Sequence, residues 1–320
     1  MVKCIKDNMK IKEKYNKVGL TPASSITHEH FLYLISSEIH KKSDNNDTYY
    51  TEPIKILDAG CGNGFLIAYL SRNLPIIFPN ISFDIYGFDV TDSQVQKSNF
   101  FETTIKTLTA EVPMIEWEDK LSIIQSDKTW TYPENSFDFV ISNQVLEHVV
   151  DHQLFFNNLY RVLKPTGFSA HLFPLSSCIQ EGHLYLPIAH KIHNHDTLTN
   201  YIRFCSKLGL GKFKSHHRET RISLDNFSTN HADYMQFFTN YLSYNEIFKI
   251  GKKCNLRIST RYTSYFYTTT LKSILGIAKP YSYSVSSSLF ESIIESLIFF
   301  FLKHVSAVTI CLEKDQTYQH

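Results

Sequence analysis

Residues 54–70 read IKILDAGCGNGFLIAYL. Apolar and β-branched residues run up to Asp58, glycines follow at Gly60, Gly62 and Gly64, and FLIAYL then takes up helical spacing. Glycines at a strand-to-helix turn let the backbone pass close to a ligand, and the first N–H groups of the helix have no partner within it. A nucleotide-like ligand is expected on that turn.

Outward from this turn the same alternation repeats. Short apolar runs (FDIYGFDV, LSIIQSD, FDFVISN, FSAHLFP) are separated by helix-length periodic stretches (SQVQKSNFFETTIKTL, HQLFFNNLYRVLK). Strands that are apolar throughout and alternate with helices indicate a parallel sheet covered on both faces. After Pro174 the alternation stops, and a stretch rich in His, Tyr, Phe and Asn runs to about Asn240 without a clean period. YNEIFKIGKKCN then leads into LRISTRYTSYFY, and SLFESIIESLIFFFLKH into VSAVTICLE, which predicts two final strands. The expected fold is α/β, Rossmann-like and doubly wound, with a seven-stranded, mostly parallel sheet and a helical or irregular insertion after the fifth strand. The chain divides into an N-terminal helical segment and linker (1–50), a core (51–174), a lid insertion (175–240) and C-terminal strands and helix (241–320).

The spacing of the glycines narrows the ligand. A dinucleotide turn reads GxGxxG, whereas this one reads GxGxG and is preceded by Asp58. In this form the motif resembles that of class I S-adenosylmethionine-dependent methyltransferases of the type 11/25-like kind. The resemblance covers residues 54 to 174. LKPTGF is similar to the family's turn before its fifth strand, with Thr166 and Gly167 where relatives have two glycines.

S-adenosyl-L-methionine is the implied cofactor, and the turn residues Asp58, Gly60, Cys61, Gly62, Asn63 and Gly64 are implied to bind it. Asp89 ends the next strand, where a carboxylate can accept both hydroxyls of a ribose, with Val90 beside it. Helix capping, the ordinary role for an Asp at that point, suits Thr91 or Asp92 better. Asp127, closing LSIIQSD, corresponds in the family to the residue that contacts the adenine amino group, and Asn143 with Gln144 falls near the methionine moiety.

Methyl transfer from a sulfonium is an in-line displacement, so the protein's task is to align acceptor and methyl group and to exclude water. If the acceptor is a hydroxyl, a histidine is the usual base, and His148 in LEHV is the candidate. His183, His190, His193 and His195 lie in the insertion, where loop histidines are more often solvent-facing or hydrogen-bonded than metal-bound, so no metal is expected. SSCIQEGHLYLPIAHKIHN is the candidate acceptor pocket and lid, while KFKSHHRETR reads as a solvated basic loop. The acceptor is expected to be a small molecule, methylated on a hydroxyl oxygen of a glycan or glycolipid intermediate. A quinone- or lipid-like apolar metabolite and a non-catalytic binding protein of this fold are the alternatives.

Lys and Arg total 32 against 31 Asp and Glu, a net charge of +1, so composition points to no nucleic-acid partner. The six cysteines form no CxxC pair and read as reduced thiols. The first fifteen residues lack an apolar signal core, and a cytoplasmic location is expected. SLIFFFLKHVSAVTICL is interrupted by Lys303 and His304, which is too broken for a transmembrane segment. It reads as a buried helix running into a buried strand in preference to a membrane-surface contact.

Overall fold

The apolar run that opens the glycine turn forms β1 (Ile54–Ala59), a central strand buried along most of its length. A computed structural model describes residues 19–45, 51–91, 99–274 and 299–315. β1 is flanked by β2 (Phe83–Val90) and β4 (Phe137–Asn143), with β3 (Leu121–Ile124) outside β2 and β5 (Leu163–Pro174) outside β4. These five strands run parallel. β7 (Ala307–Lys314) pairs antiparallel to β5, and β6 (Leu256–Ser259) antiparallel to β7, giving the order β3-β2-β1-β4-β5-β7-β6. The sheet is thus seven-stranded and mostly parallel, as the alternation implies.

The order reverses direction between β1 and β4, and in open α/β sheets the crevice at the carboxyl ends beside such a switch receives the ligand. α2 (Phe65–Ile77), α3 (Phe100–Glu111) and α4 (His152–Val162) are the crossover helices. Each turns an apolar stripe to the sheet: Leu66, Ile67, Leu70 and Leu74 from α2, and Phe155, Phe156, Leu159 and Val162 from α4.

The N-terminal helix α1 (Ile26–Asn45) is no appendage. Phe31, Leu32, Leu34, Ile35 and Ile39 are wholly buried in the same cluster as β1 and α2. α9 (Thr263–Ile274) covers its other side, with Tyr33 and Tyr265 stacked at 3.5 Å. Because both sides of α1 are covered, Ser36, Ser37 and Glu38 are buried as well. Glu38 is held by Tyr262 at 2.5 Å and by Arg261 at 3.1 Å. Residues before position 50 therefore complete the core that the sheet begins.

The insertion is helical: α5 (His195–Lys207), α6 (Phe213–Thr220) and α7 (Leu224–Phe237). It has its own core, in which Leu184, Leu198, Ile202 and Phe227 are buried. α8 (Tyr244–Lys253) then leads back to β6 behind a capping box formed by Ser243 and Glu246. Among the described residues no helix is long and apolar enough to cross a membrane. In the C-terminal apolar stretch Phe299 is buried but Phe300 and Phe301 face solvent, while 275–298 lie outside the described residues.

Candidate functional site

The turn after β1 is built from three glycines with φ of +82°, +51° and +77° at Gly60, Gly62 and Gly64. Two of them show distinct needs. A Cβ on Gly60 would sit 2.5 Å from Val145 Cγ2, so the close approach of β4's following loop requires glycine there. A Cβ on Gly62 would meet nothing within 4 Å, because Gly62 lines an open crevice. The turn is fastened from three sides. The Gly60 and Cys61 amides donate to the Phe88 carbonyl at 2.8 and 2.9 Å, and the Thr104 hydroxyl of α3 donates to the Gly62 carbonyl at 2.7 Å. The Gly62 amide donates to Asp89 Oδ2 at 2.7 Å. α2 starts at Gly64, an N-cap residue that offers no side-chain cap of its own.

The crevice has a volume of about 240 Å³. Of the residues implied by sequence, Gly60, Gly62, Asp89, Val90, Asn143 and His148 line it. Asp89 is buried, and its Oδ1 accepts the Val90 amide at 2.7 Å, so this carboxylate serves the turn as well as facing the crevice. Asp58 is also buried; desolvation and then the charge of Asp89 push its pKa up to about 8. Cys61 turns its thiol into the core, where burial raises its pKa. The Asn63 side chain is exposed and accepts the Phe65 amide at 3.3 Å. Neither Asp58, Cys61, Asn63 nor Gly64 lines the crevice with a side chain.

Asp127 stands apart from the others. Its side chain is 68% exposed and pairs with Lys128 at 2.9 Å, while Gln125 and Ser126, just past β3, are the residues that reach the crevice wall. Trp130 and Phe88, 4.7 Å between ring centroids, and Phe155, 5.1 Å from Trp130, supply an apolar aromatic surface on this side. Nothing in the spacing singles out Trp130, since it follows a turn and belongs to no periodic element.

At the end of β4, Asn143 donates from Nδ2 to Thr27 Oγ1 of α1 at 3.0 Å, and its buried Oδ1 has no partner. Gln144 then takes a φ of +58°, an uncommon conformation for a non-glycine residue and one that gathers at binding sites. The chain continues into a short 3-10 turn, Leu146–His148.

His148 Nδ1 donates to the Phe238 carbonyl at 2.6 Å, and its Nε2 lies 3.1 Å from Nε2 of His183. His183 comes from the insertion, and its Nδ1 meets Glu181 Oε1 at 2.6 Å. Burial alone would raise the Glu181 pKa, but hydrogen bonds from His183 and Leu184 bring it below the ordinary range. Glu181 is therefore ionised. Desolvation lowers the His148 pKa, against the raising effect of the Phe238 carbonyl, and the ring is neutral at pH 7. Glu147 is fully buried with neither carboxyl oxygen hydrogen-bonded.

One ligand-type atom from each of Glu147, His148 and His183 lies within 4.8 Å of the others. The other insertion histidines do not join them. His190 faces the Ser176 carbonyl at 3.1 Å, and His195 pairs with Asp233 at 2.8 Å. The basic run KFKSHHRETR falls largely on α6, which buries none of its residues.

Residues 57–170 match the family model described as methyltransferase domain. Ubiquinone biosynthesis O-methyltransferase of Rickettsia prowazekii is 29% identical over 144 residues, covering 45% of this chain and 47% of that protein. Sterol 24-C-methyltransferase of Pneumocystis carinii is 29% identical over 144 residues, covering 45% of this chain and 30% of that protein. Phosphoethanolamine N-methyltransferase of Triticum aestivum is 29% identical over 113 residues, covering 35% and 19% respectively. This chain spans less than half the length of these curated relatives.

Proposed function

We propose that this chain, whose residues 57–170 match the methyltransferase domain model, transfers a methyl group from S-adenosylmethionine to a hydroxyl oxygen of a small, apolar, ring-bearing metabolite. The observation that carries the reading is that Gly62, Asp89 and Asn143 line one and the same crevice. Bound there, S-adenosylmethionine supplies an electrophilic methyl group on sulfur.

The residues fit that cofactor. Gly62 leaves open space where a side chain would stand, Asp89 offers carboxylate lone pairs beyond the two it gives to backbone amides, and the unpartnered Asn143 Oδ1 can accept from the cofactor's ammonium group. The face of Phe88 and Trp130 suits a purine. Past Asn143 the wall turns to Val145, Val149, Val150 and Leu154, ending at His148. That surface favours an apolar acceptor over a glycan, whose hydroxyls need polar partners. His148, with Nδ1 committed to Phe238, is the candidate base through Nε2, which the acceptor would have to win from the Tyr234 hydroxyl at 3.4 Å and the His183 ring at 3.1 Å. The ubiquinone O-methyltransferase similarity supports the same direction. The five described cysteines are all unpaired and buried, in keeping with a cytoplasmic setting, and Cys4 lies outside the described residues.

The test is calorimetric titration with S-adenosylhomocysteine, followed by incubation with methyl-labelled cofactor and parallel panels of quinols, phenols and glycosides. Binding and labelled ethers of the quinols or phenols are expected. No heat at millimolar ligand would refute the cofactor reading, and label confined to glycosides would refute the acceptor class.

A further inference from the structure

Hydrogen bookkeeping at the border between crevice and insertion exposes a conflict. The Phe238 carbonyl can only accept, so His148 Nδ1 carries a hydrogen. Both Glu181 oxygens serve as acceptors, for the His183 and Leu184 amides and the Tyr241 hydroxyl, so His183 Nδ1 carries the hydrogen toward Glu181 Oε1. In their neutral forms both rings then present bare Nε2 lone pairs, and these face each other at 3.1 Å. Glu147, fully buried, brings two further acceptor oxygens that no donor meets. Among the described residues only the Tyr234 hydroxyl, 3.4 Å from His148 Nε2, offers these facing lone pairs a hydrogen.

We infer that Glu147, His148 and His183 form a binding site for a divalent transition-metal ion, set between the cofactor crevice and the insertion. Three features support it independently. The ligand atoms lie within 4.8 Å of one another. Two nitrogens bound at about 2.0–2.1 Å to a tetrahedral ion stand about 3.3 Å apart, so the 3.1 Å separation needs only a few tenths of an ångström of adjustment. The outer hydrogen bonds are those a metal-binding imidazole requires, one ring donating to a backbone carbonyl and the other to a carboxylate that is itself held by Leu184 and Tyr241. Two imidazoles and one carboxylate select zinc or a similar ion over magnesium, which prefers oxygen.

The site joins two parts of the chain that the sequence separates by 35 positions. Three protein ligands leave a tetrahedral ion one open position. Because His148 also lines the crevice, an ion here borders the space assigned to the acceptor. On the ion-loaded protein the His148 lone pair would be committed to the metal, and coordination of the acceptor oxygen would lower the pKa of its hydroxyl so that the proton passes to solvent water as the oxygen–methyl bond forms and the sulfur–methyl bond breaks. This last role rests on the proposed methyl transfer; the ion site itself does not.

Full-length protein stripped with a chelator is titrated calorimetrically with Zn²⁺ and, separately, with Mg²⁺, and its Co²⁺ complex is examined for ligand-field absorption in the visible. The expected result is one Zn²⁺ per chain, far weaker Mg²⁺ binding and a tetrahedral Co²⁺ band. His183→Ala and Glu147→Gln should each weaken Zn²⁺ at least about tenfold, as should Glu181→Gln through loss of ring orientation. His190→Ala should leave the affinity unchanged. Absence of stoichiometric Zn²⁺ binding overturns the proposal, as does binding that His183→Ala and Glu147→Gln leave intact. S-adenosylhomocysteine affinity and thermal unfolding, measured on the same samples, show that the variants are folded. They also separate failure of the ion site from failure of the cofactor reading.

Discussion

The carboxylate of Asp89 holds the amide of Gly62 at 2.7 Å, so the end of β2 grips the middle of the turn that follows β1. One side chain thereby shapes the ligand's seat and lines it. Asp89→Ala should lower thermal stability even without ligand, and should weaken S-adenosylhomocysteine by about 1.5–3 kcal/mol for each charged hydrogen bond lost. Asp89→Asn, whose side-chain carbonyl can still accept the Gly62 amide, should recover most of the stability and little of the affinity. Scanning fluorimetry with calorimetry separates the two losses; affinity unchanged in both variants would remove Asp89 from the cofactor site.

Gly60 and Gly62 should respond differently to alanine. At Gly60 the new methyl collides with Val145 at 2.5 Å on a backbone already at φ +82°, and a loss of about 1–3 kcal/mol in stability is expected. At Gly62 there is no collision, so stability should change less while S-adenosylhomocysteine affinity falls. Urea unfolding and calorimetry on the pair check this, and equal behaviour at the two positions would contradict the placement of the crevice.

Two buried histidines and the buried Asp58 carboxyl make stability respond to pH in opposite directions. His30 and His171 have pKa values lowered by burial to about 3, so they resist protonation when folded and accept it when unfolded. Their contribution is present above about pH 6.5 and is lost as pH falls toward 3. Asp58, raised to about 8, stays protonated when folded and ionises near pH 4 when unfolded, so its contribution is lost as pH rises from about 4 to 8. Each proton is worth about 1.4 kcal/mol per pH unit. Asp58→Asn should flatten the decline between pH 6.5 and 8, as read by urea unfolding of the ligand-free protein across that range.

The junction of α1 with α9 should be among the most sensitive places outside the crevice. Arg261 lies against the Phe168 ring and pairs with Glu38 and Glu313. Glu38→Ala removes one partner and strands the buried hydroxyl of Tyr262, which should cost about 3–5 kcal/mol. A shift in thermal midpoint well below that range would show that Glu313 alone suffices to hold Arg261.

The turn and the sheet were legible in the sequence because their demands are local. Left-handed backbone at Gly60, Gly62 and Gly64 needs glycine wherever the rest of the chain goes, and buried parallel strands need unbroken apolar runs. α1 was visible only as an amphipathic patch, HFLYLISSEIH, since polar Ser36, Ser37 and Glu38 hide the fact that both its sides are covered. The insertion helices carry readable starts in Asn194 and Ser223, each accepting an amide three residues on, but their mixed composition blurs the period behind those caps. Asp127 and Ser126 differ by a single step of a loop, and pattern alone does not decide which of them turns inward. His148 and His183 meet because the insertion folds back over the short turn that bears His148, a relationship written in tertiary packing alone.

β7 is the penultimate strand of the sheet in space and, among the described residues, the last in sequence, and it is tied to α1 by His30 and Thr309 at 2.8 Å across 279 positions. During synthesis the glycine turn leaves the ribosome while the strand that must flank β5 has yet to be translated. The half that carries the glycine turn therefore waits for β7 with the β5 edge of its sheet bare and the His30 contact of α1 unmade. A nascent chain stalled before Ala307 should be the aggregation-prone and protease-sensitive form of this protein, and release of β7 the event that ends that vulnerability.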